Sequence, residues 1–214
     1  TKSKSSGIVG YNVQTAVDTK HHMIVAHEVT NTGSDRAQLH KLSQLAKEAT
    51  GHEQIEALAD RGYYSGEEIL SCSKNGITAY VPKNHTSGNQ AKGQFGKRDF
   101  QYIAEDDEYQ CPAGERAIYR FSRIERGKLI RRYWPSACIN CSIKPQCTDG
   151  KYRRISRWEH EHVLDEMQSR MDQHPEKMTI RRSTVEHPYG TLKAWMGATH
   201  FTTKTLKRVS TEMS

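Results

Sequence analysis

The chain has 214 residues, of which 35% are hydrophobic, and its mean hydropathy is −0.84, so we expect one medium-sized domain, or a domain with an insertion, around a modest core. Lysine and arginine exceed aspartate and glutamate by 32 − 25 = 7 and the pI is near 9.1, which suits a polyanionic partner. No apolar run approaches the ~18 residues of a membrane span and no signal peptide opens the chain, so we expect a cytoplasmic protein without membrane contact.

The first fifty residues predict a β-hairpin followed by a helix. Apolar and polar residues alternate over 11–17 and return to an apolar-rich run over 22–29, a pattern that predicts two antiparallel strands. Residues 34–35 are candidate helix caps. Apolar residues then recur at helical spacing from Leu39, and Gly51 stops the run.

A second strand and helix follow. The apolar-rich stretch 54–59 predicts a short strand that ends at Asp60. Ser65 and Glu68 have the spacing of a capping box for the next helix. A further strand over 78–82 is closed by proline, and the whole order predicts an α/β domain with a mixed sheet.

The pattern changes in the middle of the chain. We expect 7–83 to form the first part of the core, 84–157 to be a Cys-bearing insertion, and 158–201 to supply the C-terminal helices that carry Glu186. Pro188 is expected to bend or end the last of these helices just past Glu186.

Four of the five cysteines lie in the insertion, which has too little apolar sequence to build a large core. In a reducing compartment this pattern favours metal binding or free thiols over disulfides. A structural zinc ion would supply folding energy to such a segment, while reduced thiols and an iron–sulfur cluster remain alternatives. The candidate zinc ligands are Cys111, Cys138, Cys141 and Cys147.

Three charged side chains near the C-terminal end have the spacing Arg182-x3-Glu186-x6-Lys193. On a 3.6-residue period they fall near one face of a helix. A carboxylate between two cations suits a site for a hard metal ion and a phosphodiester, but it also fits a solvated, salt-bridged face. Asp60 favours the first interpretation because α/β sheets bind ligands at strand ends, although by itself it also fits a turn or cap residue.

These stretches resemble the DDE transposases of bacterial insertion sequences. Ala59-Asp-Arg-Gly-Tyr63 is similar to the segment around the family's second aspartate, and Arg182-x3-Glu186-x6-Lys193 is similar to its C-terminal signature. Segments 11–18 and 33–39 are similar to those that precede the second aspartate. The resemblance implies an α/β fold with an RNase H-like mixed sheet flanked by helices, and the insertion before the last catalytic helix.

The function implied by this resemblance is metal-dependent cleavage and transfer of double-stranded DNA at insertion-sequence ends, with Mg²⁺ or Mn²⁺ as cofactor and a homodimer in the active complex. It assigns three sets of residues: divalent-metal ligands (Asp60, Glu186), phosphate contacts (Arg182, Lys193) and further DNA contacts (Tyr63, Arg61, Arg181). The alternatives are a zinc-stapled DNA-binding module without catalysis and an inactive remnant of a transposase.

Two departures from the family pattern matter. Thr179 stands where the signature usually has tyrosine. The family's first catalytic aspartate lies on a first core strand that this sequence does not offer, so we expect that strand to be encoded upstream of Thr1 and this chain to be inactive by itself.

Overall fold

The computed structural model describes residues 10–84, 88–197 and 200–214, apart from the side chain of His187. The chain divides into two compact units, one formed by residues 1–84 and 163–214 and the other by residues 85–162. Throughout the described ranges, the helices are too short or too polar to cross a membrane.

The N-terminal part of the first unit alternates strands and helices, as its periodicity predicts. Gly51 ends the first helix in the left-handed conformation, with φ of 68°, which glycine adopts without a Cβ penalty. The elements are β1 (Asn12–Val17), β2 (Ile24–Thr30), α1 (Leu39–Thr50), β3 (Ile55–Leu58), α2 (Gly66–Lys74) and β4 (Ile77–Tyr80).

The second unit contains a curled antiparallel sheet of five strands in sequential order. Its small core is largely aromatic and includes Phe100, Tyr109, Tyr133 and Cys147. The elements of this unit are α3 (Gly88–Ala91), β5 (Gln101–Ile103), β6 (Glu108–Gln110), β7 (Arg116–Glu125), β8 (Lys128–Trp134) and β9 (Ile155–Trp158).

Three helices complete the described chain, and the boundary between the units falls in the first turn of the first of them. Val163 and Met167 bury the apolar side of this helix in the core of the first unit, against Ile69, Ile77 and neighbouring residues. The helices are α4 (Glu161–Gln173), α5 (Glu176–Gly190) and α6 (Leu206–Met213).

The strands of the first unit form two separate two-stranded sheets, which makes this an α/β unit with both kinds of strand pairing. β1 and β2 pair antiparallel, with Asn12 opposite Thr30, whereas β3 and β4 pair parallel, with Leu58 opposite Tyr80. Within the described part of the chain, β1 and β3 therefore each keep one edge without a strand partner.

A cavity of about 440 Å³ lies in the first unit and is lined by both of these strands. Thr15–Val17 of β1 and Ile55–Leu58 of β3 contribute to its wall. Helices α1 and α5 supply further lining residues, among them Leu42, Thr184 and Val185.

Candidate active site at the end of strand β3

Asp60 lies directly beyond the carboxyl end of β3, where the parallel pair opens into a loop. Its backbone is extended, and its side chain accepts a hydrogen bond from the Gly62 amide at 2.8 Å, so it caps the 3-10 turn Arg61–Tyr63. The side chain is nevertheless 49% exposed. Asp60 is therefore a turn cap whose carboxylate remains open to solvent at the strand end.

Helix α5 packs against β3 and brings a cation to this carboxylate. Arg181 Nη2 lies 3.2 Å from Asp60 Oδ2, and the Arg181 side chain is only 26% exposed. The strand-end motif and the C-terminal motif are thus joined through Arg181, although they are far apart in sequence.

The other charged residues of the C-terminal motif lie on the outer side of α5. Arg182 and Glu186 are exposed and four residues apart, so they share one helix face. Thr184, two residues before Glu186, is 2% exposed and faces the interior.

Pro188 does not end α5 at Glu186, because the helix continues to Gly190 and then into a π-helical turn over Thr191–Trp195. Proline lacks the amide that would complete the regular ladder, and the widened turn is closed by a bond from the Met196 amide to the Thr191 carbonyl, 3.0 Å. Lys193 lies in this turn and is exposed.

Tyr189 connects the end of α5 to β1, a contact that sequence reasoning missed. Its hydroxyl accepts from Thr15 Oγ1 at 3.1 Å and donates to the Val13 carbonyl at 3.2 Å. Lys193 Nζ lies 5.7 Å from the centre of the Tyr189 ring, a cation–π arrangement. Helical spacing places Tyr189 three residues after Glu186 and four before Lys193, and this pattern was the available signal.

Of the residues predicted to contact DNA, Arg61 is exposed and Tyr63 is half-buried. The Tyr63 hydroxyl donates a hydrogen bond to Gln14 Oε1 of β1. Burial raises the pKa of Tyr63, and the negative charges of Asp35 and Asp60 raise it further, so the hydroxyl keeps its proton at neutral pH.

The four cysteines of the second unit line one small cavity of about 20 Å³, together with Phe100, Pro135 and Arg153. Cys138 and Cys147 are buried, and all four thiols are free. In the ranges that the structure describes, no group of three or more His, Cys, Asp or Glu side chains is arranged to hold a metal ion. The cysteines therefore share a cavity without forming a metal-coordinating group in these side-chain positions.

The remaining cysteine, Cys72, is fully buried in the core of the first unit. Burial, with a further contribution from the charge of Glu68, raises the pKa of this thiol to about 12. It serves as an apolar packing residue on α2.

The sequence model of the family described as "Transposase DDE domain" matches residues 1–214, the whole chain. No curated protein and no solved structure shows a significant match to the chain. The family match covers both halves of the site, the β3 end with Asp60 and helix α5 with Arg181 and Glu186, and the chain belongs to the transposase DDE domain family.

Proposed function

We propose that the chain is the catalytic domain of a transposase that cleaves and transfers double-stranded DNA at insertion-sequence ends, acting as a homodimer in the bacterial cytoplasm. The observation that supports this most directly is the Asp60–Arg181 ion pair, because it brings the Glu186-bearing helix to the strand-end carboxylate. An RNase H-like arrangement of the core is part of this proposal.

Asp60 and Glu186 are the proposed ligands of Mg²⁺ or Mn²⁺. Carboxylate oxygens are the donors that these hard cations prefer, and both side chains are open to solvent, so the donor set fits the ion. A bound divalent ion would activate the attacking oxygen and stabilise charge on the leaving oxygen.

The cations around Glu186 have separate proposed roles. Arg182, exposed on the same helix face, offers a guanidinium fork to phosphate oxygens, and Lys193 offers a point charge. Arg61 and Tyr63 are proposed DNA contacts beside Asp60. Arg181 already pairs with Asp60, and we propose that it moves to a DNA phosphate when Asp60 binds metal.

The cavity lined by β1 and β3 supports an additional strand in the complete catalytic core. Each of these strands has an edge that no described strand covers, and exposed edges of this kind are templates for pairing. We propose that a strand carrying the third carboxylate of the site is inserted here, as the resemblance to DDE transposases implies.

The test is metal-dependent nicking of a cognate element end by the chain expressed with the sequence that its reading frame carries upstream. We expect Asp60→Asn and Glu186→Gln to abolish nicking, because each removes a metal-ligating charge. Glu176→Gln is the matched control on the same helix and should leave nicking unchanged, since Glu176 pairs with His174 at the opposite end of α5. Nicking that survives both substitutions would refute Asp60 and Glu186 as the metal ligands. DNA binding that is unaffected by both substitutions, with no metal-dependent nicking even by the unsubstituted protein, would instead favour a non-catalytic DNA-binding module.

We further propose that Cys111, Cys138, Cys141 and Cys147 bind a structural zinc ion after side-chain rotation. Their common cavity is large enough for one water-sized sphere, and four thiolates at ~2.3 Å are a usual tetrahedral zinc set. Elemental analysis should find one equivalent of zinc, and a chelator should lower the melting temperature. Cys141→Ser should lose the metal while the neighbouring Ser142→Ala keeps it. Metal-free protein with unchanged melting in chelator would rule out the site.

A further inference from the structure

Two polar side chains on β1 converge on one carboxylate. Asn12 and Gln14 lie two residues apart on the strand and therefore on the same face. Asn12 Nδ2 donates to Asp35 Oδ1 at 2.7 Å, and Gln14 Nε2 donates to the same oxygen at 2.8 Å. Gln14 Nε2 also donates to Asn12 Oδ1 at 2.9 Å, so both of its amide hydrogens are used.

The other end of the Gln14 amide reaches the turn that contains Asp60. Gln14 Oε1 accepts from the Tyr63 hydroxyl, and the Tyr63 amide donates to the Asp60 carbonyl at 3.2 Å. Gln14 is 2% exposed, so an unpaired group on its amide would be costly to bury. The hydrogen-bonded chain therefore runs from Asp35 through Gln14 and Tyr63 to the backbone of Asp60.

The carboxylate of Asp35, which only accepts hydrogen bonds, fixes the donor and acceptor at each step of this series of hydrogen bonds. An ionised carboxylate cannot donate, so Gln14 must turn its NH₂ group toward Asp35 and its oxygen toward Tyr63. Tyr63 must then be the donor to Gln14 Oε1. Loss of the accepting oxygen at position 35 would remove the partner that orients the Gln14 amide, and with it the support for the bond from Tyr63.

At Gly62, the carboxylates of Asp60 and Asp35 both approach the backbone. A Cβ added at Gly62 would lie 3.0 Å from Asp60 Oδ1 and 3.5 Å from Asp35 Oδ2. A Cβ at this position would be crowded against Asp60 Oδ1 and in ordinary van der Waals contact with Asp35 Oδ2. The turn that presents Asp60 is thus packed directly against the 3-10 turn Asp35–Ala37.

We infer that Asp35 is a positioning residue for the active site, which holds the Asp60 turn in its metal-binding geometry through Gln14 and Tyr63. This inference rests on the proposed function of Asp60 as a metal ligand. Hydrogen-bond partners of metal ligands typically change metal affinity or activity by about 10- to 100-fold when they are removed.

The test compares Asp35→Ala with Asp35→Asn in single-turnover nicking over a Mn²⁺ titration, using the chain expressed with its upstream sequence. Asp35→Ala should slow nicking or raise the half-saturating Mn²⁺ concentration by about 10- to 100-fold. Asp35→Asn keeps an oxygen that accepts from Asn12 and Gln14, so it should retain most of the rate. Tyr63→Phe removes the last bond of the chain and should shift the Mn²⁺ requirement in the same direction as Asp35→Ala.

Amide hydrogen exchange of residues 61–64 supplies a readout that needs no activity. Faster exchange in Asp35→Ala, at unchanged global stability, supports the inference. Wild-type nicking by Asp35→Ala overturns it, and equal damage from Asp35→Asn overturns it in favour of direct metal ligation by Asp35. If Asp60→Asn is inactive while Asp35→Ala and Tyr63→Phe match the wild type, the positioning role of Asp35 is refuted and the proposed function stands. If Asp60→Asn nicks normally, the proposed function itself is refuted.

Discussion

Glu68 stabilises the start of a helix other than its own. Its Oε2 accepts a hydrogen bond from the His40 amide at 2.9 Å, in the first turn of α1. The first four amides of a helix lack partners within it, so an acidic group here both satisfies a donor and complements the helix dipole. The capping-box spacing predicts instead that Glu68 pairs with Ser65, but Ser65 makes no side-chain cap bond.

We therefore expect Glu68→Ala to destabilise the fold by about 1 kcal/mol, the usual cost of a lost helix cap. Ser65→Ala is the matched control at the cap position and should change stability by less than about 0.5 kcal/mol. Urea denaturation of the two variants measures both values. Equal losses would show that Ser65 caps α2 in solution.

Local sequence patterns predict the individual strands and helices. The contacts that the sequence did not predict join residues that are distant in sequence. The alternation in 11–17 predicts β1 because a half-buried strand has period two, and Gly51 predicts the end of α1 because of its left-handed conformation. The hydrogen bonds of Asp35 to Asn12 and Gln14 join residues more than twenty positions apart in sequence, so no local pattern predicts them. Strand-end chemistry singles out Asp60, yet its ion pair with Arg181 is visible only in three dimensions.

The second unit contains a carboxylate, Asp107, whose pKa in the folded protein lies below its ordinary value. Asp107 accepts hydrogen bonds from the hydroxyls of Tyr102 and Tyr133, at 2.7 and 2.8 Å, and pairs with Arg131 at 3.0 Å. Burial opposes ionisation of Asp107, but the two tyrosine hydroxyls and Arg131 outweigh it and lower its pKa below the ordinary 3.8. These contacts join the β5–β6 connection to β8.

A depressed pKa in the folded state contributes stability above the unfolded-state pKa, and this stability is lost as the pH falls through the folded value. We expect Asp107→Asn to lose on the order of 1 kcal/mol at pH 7, after allowance for a side chain that is 38% exposed. The difference from the wild type should stay constant down to about pH 5 and shrink below about pH 4. Urea denaturation at several pH values measures it, and a difference that grows on acidification would contradict the assignment.

At the scale of the whole molecule, the site depends on elements that come from opposite ends of the sequence. Asp60 follows β3, Glu186 lies on α5, and Tyr189 and Tyr63 both anchor their segments to β1. β1 is therefore the common support of both motifs, although it carries neither of the predicted metal ligands. Residues of this strand line the cavity that it shares with β3, so occupation of the cavity should influence the site.

We accordingly expect the 214-residue chain, assayed alone, to show no Mn²⁺- or Mg²⁺-dependent nicking or strand transfer. Two ions need enough oxygen ligands to be held together, and Mg²⁺ demands near-octahedral coordination, which Asp60 and Glu186 alone supply poorly. The chain extended by the sequence that its reading frame carries upstream should nick a cognate element end. Its β1 and β3 amides should also exchange more slowly, because a strand seated in the cavity would pair with their uncovered edges. Robust nicking by the 214-residue chain, abolished by Asp60→Asn, would place the third carboxylate inside it and make Asp35, whose Oδ2 approaches Gly62 beside Asp60 Oδ1, the first residue to test.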